Sequence, residues 1–228
     1  MDFDVRGEFK AAAIIDVTWG DESDQILSSG EYWQEALRYR AAMLRHTEKY
    51  NSSGDIQAFE QSFRKLTAEA HRLAAFYGRV RAGGKRQRLD IDDELGDINA
   101  MNDLLNFGGK FIQDIQRARY GEPGEITAGM NGRAQQYLSK AFRATSAEGF
   151  IKQTPGNMEV YWNQTTLETG CSDCPLLEAG SPYRAITMTR FPGDGSTECR
   201  TSCQCVITRE DGLMTFLPEP PPLGIYNA

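Results

Sequence analysis

The stretch Asp55–Arg81, DIQAFEQSFRKLTAEAHRLAAFYGRVR, decides the fold. Ile56, Phe59, Phe63, Leu66, Ala70, Leu73, Tyr77 and Val80 follow one another at steps of three and four, the spacing that gathers side chains on one face of a 3.6-residue helix. Both ends have causes. Asp55 supplies an N-cap oxygen, and Gly83-Gly84 stops the helix behind Arg79 and Arg81, whose cations suit the negative end of its dipole. An apolar stripe of about three and a half heptads needs a partner helix. An intermolecular coiled coil would provide one; a helix hairpin within the chain is the commoner outcome.

Neighbouring segments offer partners. Glu31 to Tyr50 carries strong helix formers with Trp33, Leu37 and Leu44 spaced for one face, and Asn51-Ser52-Ser53-Gly54 ends it. Asp90 to Asn99 is an acidic helix start, followed by the apolar series Leu104, Leu105, Phe107, Phe111, Ile112 and Ile115. Gly108-Gly109 interrupts that series. Each glycine costs about 1 kcal/mol relative to alanine inside a helix, which points to a kink or a close helix crossing. After the loop Gly121-Glu122-Pro123-Gly124, a further helix runs from about Glu125 to Phe150 through Met130, Ala134, Tyr137, Leu138, Ala141 and Phe142. Four helices over 31–152 predict a bundle.

The texture changes at Thr154-Pro155-Gly156-Asn157. Met158 to Thr166 alternates Val160 and Trp162 with polar residues as a strand does, and the chain beyond is rich in Gly, Pro, Thr and Cys. The expected fold class is mainly α (α+β): an N-terminal arm over 1–30, the helical bundle, a small β-rich cysteine-stabilised module over 153–215, and an extended tail over 216–228 carrying Pro218-Glu219-Pro220-Pro221-Pro222.

Composition narrows the function. A chain of 228 residues with 40% hydrophobic and 25% charged residues is ordinary for a globular protein. No apolar run approaches the roughly 20 residues of a membrane span. Asp2, Asp4 and Glu8 around Arg6 are unlike the basic, apolar start of a secretory signal, so synthesis in a reducing cytosol is expected. A net charge of −7 argues against wholesale wrapping of nucleic acid, which needs clustered cations to displace counterions. One basic patch stands out: Arg79, Arg81, Lys85, Arg86 and Arg88, five cations in ten residues. It is either a solvated loop or a local contact for DNA or an acidic partner. No aromatic residue interleaves from Arg81 to Arg88 to stack on bases.

All five cysteines fall within 35 consecutive positions, as CSDC (Cys171, Cys174) and CRTSCQC (Cys199, Cys203, Cys205), and the other 193 residues contain none. A CxxC turn presents two sulfurs to one point, and an extended Cys203-Gln204-Cys205 places two more on one strand face. Three readings are open: a structural zinc site with four thiolates drawn from the five, with Cys199 and Cys205 competing for the fourth place; disulfides; or reduced thiols lining a small core. Metal would contribute on the order of 10 kcal/mol to ordering so small a module, a disulfide roughly 3 kcal/mol. A thioredoxin-like redox role for CSDC lacks the surrounding βαβ pattern.

Trp162, CSDCPLLEAG from Cys171, Tyr183 and FPGDGSTECRTSCQCVI from Phe191 to Ile207 together resemble the C-terminal end of tailed-phage minor head proteins, the phage Mu F-like head morphogenesis group. In that family a Trp-bearing strand, a CxxC, a proline-containing loop and a final CxC follow in order, matched here by Trp162, Cys171 and Cys174, Pro192, and Cys203 and Cys205. The family often has a His shortly before its CxC; this chain has Cys199 there. The resemblance covers about 50 residues by motif. It implies a virion structural protein made in the bacterial host cytoplasm and assembled into the head near the portal vertex, as a minor head or head-to-tail connector component bearing on DNA packaging or delivery. Its partners would be portal, capsid or connector subunits and further copies of itself, with DNA contact local and no membrane. The competing class is a small zinc-module protein that binds nucleic acid through the Arg79–Arg88 patch.

Other chemistry fits less well. His46 and His71 lie inside expected helices beside Arg45 and Arg72 and read as solvated helix faces, and no catalytic residue is assigned. Asp90, Asp92, Asp93, Glu94 and Asp97 do not match a calcium loop and read as a charged helix start. Pro192-Gly193-Asp194-Gly195-Ser196-Thr197 lacks the lysine of a phosphate loop.

Overall fold

A computed structural model describes residues 29–84, 90–125, 128–164, 171–198, 200, 203 and 205–216. The chain is mainly helical, with a small three-stranded antiparallel sheet in its C-terminal region. The helices are α1 (Ser29–Ser53), α2 (Ile56–Arg81), α3 (Asp90–Asp103), α4 (Gly109–Gln116), α5 (Ala128–Lys140) and α6 (Ser146–Gln153), then α7 (Asp173–Ala179) in the module. π-helical turns, Leu104–Gly108 and Ala141–Thr145, join α3 to α4 and α5 to α6 without leaving helical dihedrals. Among the described residues the result is a bundle of four long rods.

The stripe of α2 is its centre. Phe59, Phe63, Leu66, Ala70, Tyr77 and Val80 are buried, with Ile56 and Leu73 packed against the same core. The partners lie within the chain: α2 packs on α1, α3, α5 and α6. Asp55 caps it, its carboxylate accepting the Ala58 N–H at 3.0 Å.

The crossing of α2 and α6 depends on two missing side chains. A Cβ on Gly78 would lie 1.9 Å from the Ser146 carbonyl oxygen, and one on Gly149 2.6 Å from that of Ala75. Glycine is what lets the α2 and α6 backbones touch.

The face expected for α1 is corrected at two of its three residues, Trp33 packing against the core as expected. Leu37 and Leu44 are each 40% exposed, and the core is instead filled by Tyr32, Ala36, Tyr39, Met43 and Tyr50. The tyrosines carry as much apolar area as the leucines and can also place a hydroxyl, as Tyr32 does in donating to the Phe142 carbonyl. Ser29 and Gly30, read as the end of the arm, already belong to α1; residues 1–28 lie outside those described. The second apolar series is also split. Phe111, Ile112 and Ile115 are buried, whereas Leu105 and Phe107 are exposed, because the π turn adds a residue and turns the faces before and after it out of phase.

His71 is not on a solvated face. It is 1% exposed, with Nδ1 2.7 Å from the Thr145 hydroxyl and Nε2 3.3 Å from Asp103 Oδ2. The other Asp103 oxygen accepts from Lys140. Asp103 and Lys140 are the residues immediately before the two π turns, and Thr145 closes the second.

The sheet has β1 (Glu159–Asn163) at its centre, flanked by β2 (Tyr183–Arg184) and β3 (Val206–Arg209), both antiparallel to it. Val160 faces Tyr183, and Trp162 faces Ile207. A second core forms here from Val160, Trp162, Ile207 and four cysteines, closed by Ala147, Phe150 and Ile151 of α6 and by Ala82. The last bundle helix therefore doubles as one wall of the module. In return, Phe216, expected to begin the extended tail, is buried in the bundle core and stacked on Tyr32 at 3.9 Å; residues 217–228 lie outside those described. Among the described residues no helix is long and apolar enough to cross a membrane.

Candidate metal centre

Two loops bring the cysteines together. Cys171 lies just before α7, and Cys174 falls in its first turn. Cys203 and Cys205 stand on the approach to β3, whose pairing with β1 aims that segment at the same point. The four side chains are 1–8% exposed. Cys171 and Cys174 sulfurs are 3.3 Å apart, and Cys174 and Cys203 sulfurs 3.9 Å. The sulfurs of Cys174, Cys203 and Cys205 lie within 4.8 Å of one another. These three buried cysteines are positioned to bind a metal ion. Cys199 lies outside the described residues, and none of the other four is in a disulfide.

The spacing suits a small, soft cation. Four thiolates at about 2.3 Å around a tetrahedral centre stand about 3.8 Å from each other, close to the Cys174–Cys203 separation. A disulfide would need about 2.05 Å. Without a cation, Cys205 is held well above the usual thiol range by its hydrogen bond to Cys203, then by burial and by the charge Cys203 would carry, with Trp162 acting the other way. A crowd of thiols shares protons reluctantly; a coordinated metal removes them and reverses that preference. The buried indole Nε1 of Trp162 makes no hydrogen bond of ordinary length but lies near enough to Cys205 to favour its thiolate, an N–H donor beside a sulfur that would become negative. Donors of this kind orient and tune a ligand from behind.

Residues around the cysteines fix the two loops to each other. The Ser172 N–H donates to Glu198 at 2.8 Å, and the Glu198 N–H donates to Asp173 at 2.7 Å. This reciprocal pair staples the CxxC turn to the residues just before Cys199, and the first of these bonds holds the Glu198 carboxyl below its usual range. Arg143, from the second π turn, donates to the Cys203 carbonyl at 2.8 Å. Cysteine spacing says nothing of these roles. Only the position of Asp173 inside CSDC, and of Glu198 beside Cys199, hinted at them. The glycine-rich loop before them is an ordinary turn: Asp194 accepts the N–H groups of Phe191 and Ser196.

The basic patch does not survive as five surface cations. Arg79 is 5% exposed, its guanidinium clamped on Asp92, with Nε 2.9 Å from both carboxylate oxygens and Nη2 2.8 Å from one. Burial forces that pairing, since an unpaired charge at this depth is costly. Arg81 is half-buried, donating to the Met214 carbonyl at 2.9 Å and lying over the Phe216 ring. Lys85, Arg86 and Arg88 lie outside the described residues. Of the acidic helix start, Asp92 is thus engaged by Arg79, and Asp97 pairs with Arg72 at 2.7 Å. Searches against known protein families, curated proteins and solved structures return no match.

Proposed function

We propose that this chain is a structural protein of a tailed-phage head, a minor head or connector component near the portal vertex, whose C-terminal module is held in shape by zinc on Cys171, Cys174, Cys203 and Cys205. One observation carries the reading. The CxxC and the CxC through which the chain resembles the Mu F-like head proteins, far apart in sequence, converge on one buried cluster of sulfurs. The helical body ahead of the module agrees with the same resemblance. In this role the zinc does no chemistry; it orders loops too small to bury much apolar surface. Portal, capsid or connector subunits are the partners, with any DNA contact local.

Two measurements test the proposal. Metal analysis under reducing conditions is expected to give about one equivalent of zinc, lost on Cys174→Ser, Cys203→Ser or Cys205→Ser and kept on Cys199→Ser. Retention of zinc by Cys205→Ser with loss in Cys199→Ser would reassign the fourth ligand. For the virion role, mass spectrometry of purified particles is expected to find the chain. Its absence from them, or binding of DNA by the isolated chain that persists at moderate salt, would overturn the assignment.

A further inference from the structure

The continuous helix from Asp90 to Gln116 carries an outward line of apolar side chains. Ile98, Met101 and Leu105 are 45%, 54% and 72% exposed, and steps of three and four set them on one face. Glu94, one turn earlier, extends the line and is exposed. Beyond Leu105 the π turn lengthens the repeat to five, the Gly109 N–H donating to the Leu104 carbonyl, so the next residue in line is Lys110, also exposed. Neither Glu94 nor Lys110 pairs with another described residue. The face therefore reads acid, three apolar residues, base, over about 24 Å at 1.5 Å per residue.

We propose that this face is the contact between two copies of the chain, packed antiparallel about a two-fold axis near Met101. A pattern with opposite charges at its two ends is complementary to itself when reversed. Antiparallel packing sets Glu94 against the second copy's Lys110 at both ends and Ile98 against its Leu105, with the Met101 side chains meeting on the axis. Parallel packing would set like charges together at both ends. An isologous contact is the commonest way for identical subunits to associate, and a flexible thioether on the axis adapts to its own copy. A stripe built for an unrelated partner has no reason to carry this symmetry of charge. The proposal deepens the assembly role above by naming the surface used between copies, but its test is the oligomeric state in solution and is independent of presence in particles.

Sedimentation velocity on the full chain, from about 1 to 100 µM, is expected to show a monomer–dimer equilibrium. Glu94→Lys and Lys110→Glu should each weaken the dimer at least about tenfold, by like charges at both ends. The double variant Glu94→Lys/Lys110→Glu should restore it, an outcome that loss of folding cannot imitate. Met101→Asp should leave the helical circular dichroism unchanged and abolish the dimer. A Met101→Cys variant should cross-link to itself on mild oxidation, and Leu37→Cys should not. A monomer at the highest concentration overturns the proposal, whether another segment of the chain or a different protein covers the stripe. So does a dimer indifferent to the charge reversals.

Discussion

Asp103 is 2% exposed and yet ionised by its surroundings. Burial alone would push its carboxyl up, but hydrogen bonds and charge from His71 and Lys140 outweigh that and hold it below the usual carboxylate range. The sign follows. A carboxyl whose folded pKa lies below its unfolded value stabilises the fold fully above the unfolded value, about 3.9, and that contribution is lost as pH falls through the folded pKa. Urea unfolding across pH 7 to 2 is expected to show stability declining at the acid end. Asp103→Asn should lower stability at neutral pH by about 1.5–3 kcal/mol and flatten the acid decline; curves that stay parallel would deny Asp103 the role. None of this is legible in the sequence. His71 follows Ala70 on the buried edge of α2, but its partners Asp103 and Thr145 are distant in sequence, and periodicity carries no sign of who will face it. Cysteine spacing was different. Two sulfurs in a CxxC turn and two in a CxC are each forced together locally, so only the meeting of the pairs had to be supplied by the fold.

At the scale of elements, α2 was legible because eight apolar residues keep one phase for its whole length, bounded by a cap and a glycine pair. The helix through Leu104–Gly108 was legible in extent but not in facing. Its apolar series has the look of a single phase, and a π turn, which nothing in the composition marks except Gly108 within it and Gly109 after it, divides it into an inward and an outward part. The same kind of silence surrounds the helix crossings. A glycine in a helical pattern reads as a weakness, yet Gly78 meets the Ser146 carbonyl where no Cβ fits, whereas Gly132 of α5 has nothing within 4 Å. The two should respond oppositely to alanine. Gly132→Ala is expected to gain about 0.5–1 kcal/mol from helix propensity. Gly78→Ala should lose at least about 1–3 kcal/mol, because two backbones must part. Thermal melts of the two variants, side by side, make the comparison. Equal shifts would mean that the α2–α6 crossing is looser than the geometry has it.

For the whole molecule, the change of texture at Thr154 falls between the end of α6 at Gln153 and the start of β1 at Glu159, and the elements on either side of it share walls. Ala82 and the α6 residues Ala147, Phe150 and Ile151 wall the cysteine core, and Arg209 of β3 donates to the Ala82 carbonyl at 2.9 Å. From the other side, Phe216 fills a place in the bundle between Tyr32 and the Arg81 guanidinium. A boundary read from composition cannot register such an exchange, because each of these residues is an ordinary apolar or basic residue in its own segment. Cooperativity is the consequence. In a Trp19→Phe/Trp33→Phe variant Trp162 is the remaining indole and reports on the module, while circular dichroism reports mainly on the bundle helices, so heating should give coincident transitions by the two probes, the test of a single folding unit. If the sulfurs hold zinc, a chelator strong enough to strip it should lower both transitions together by the same amount, since binding free energy at the module is folding free energy for the whole. A chelator that melts the Trp162 signal and leaves the helices at their original midpoint would show that the shared wall does not couple the two cores.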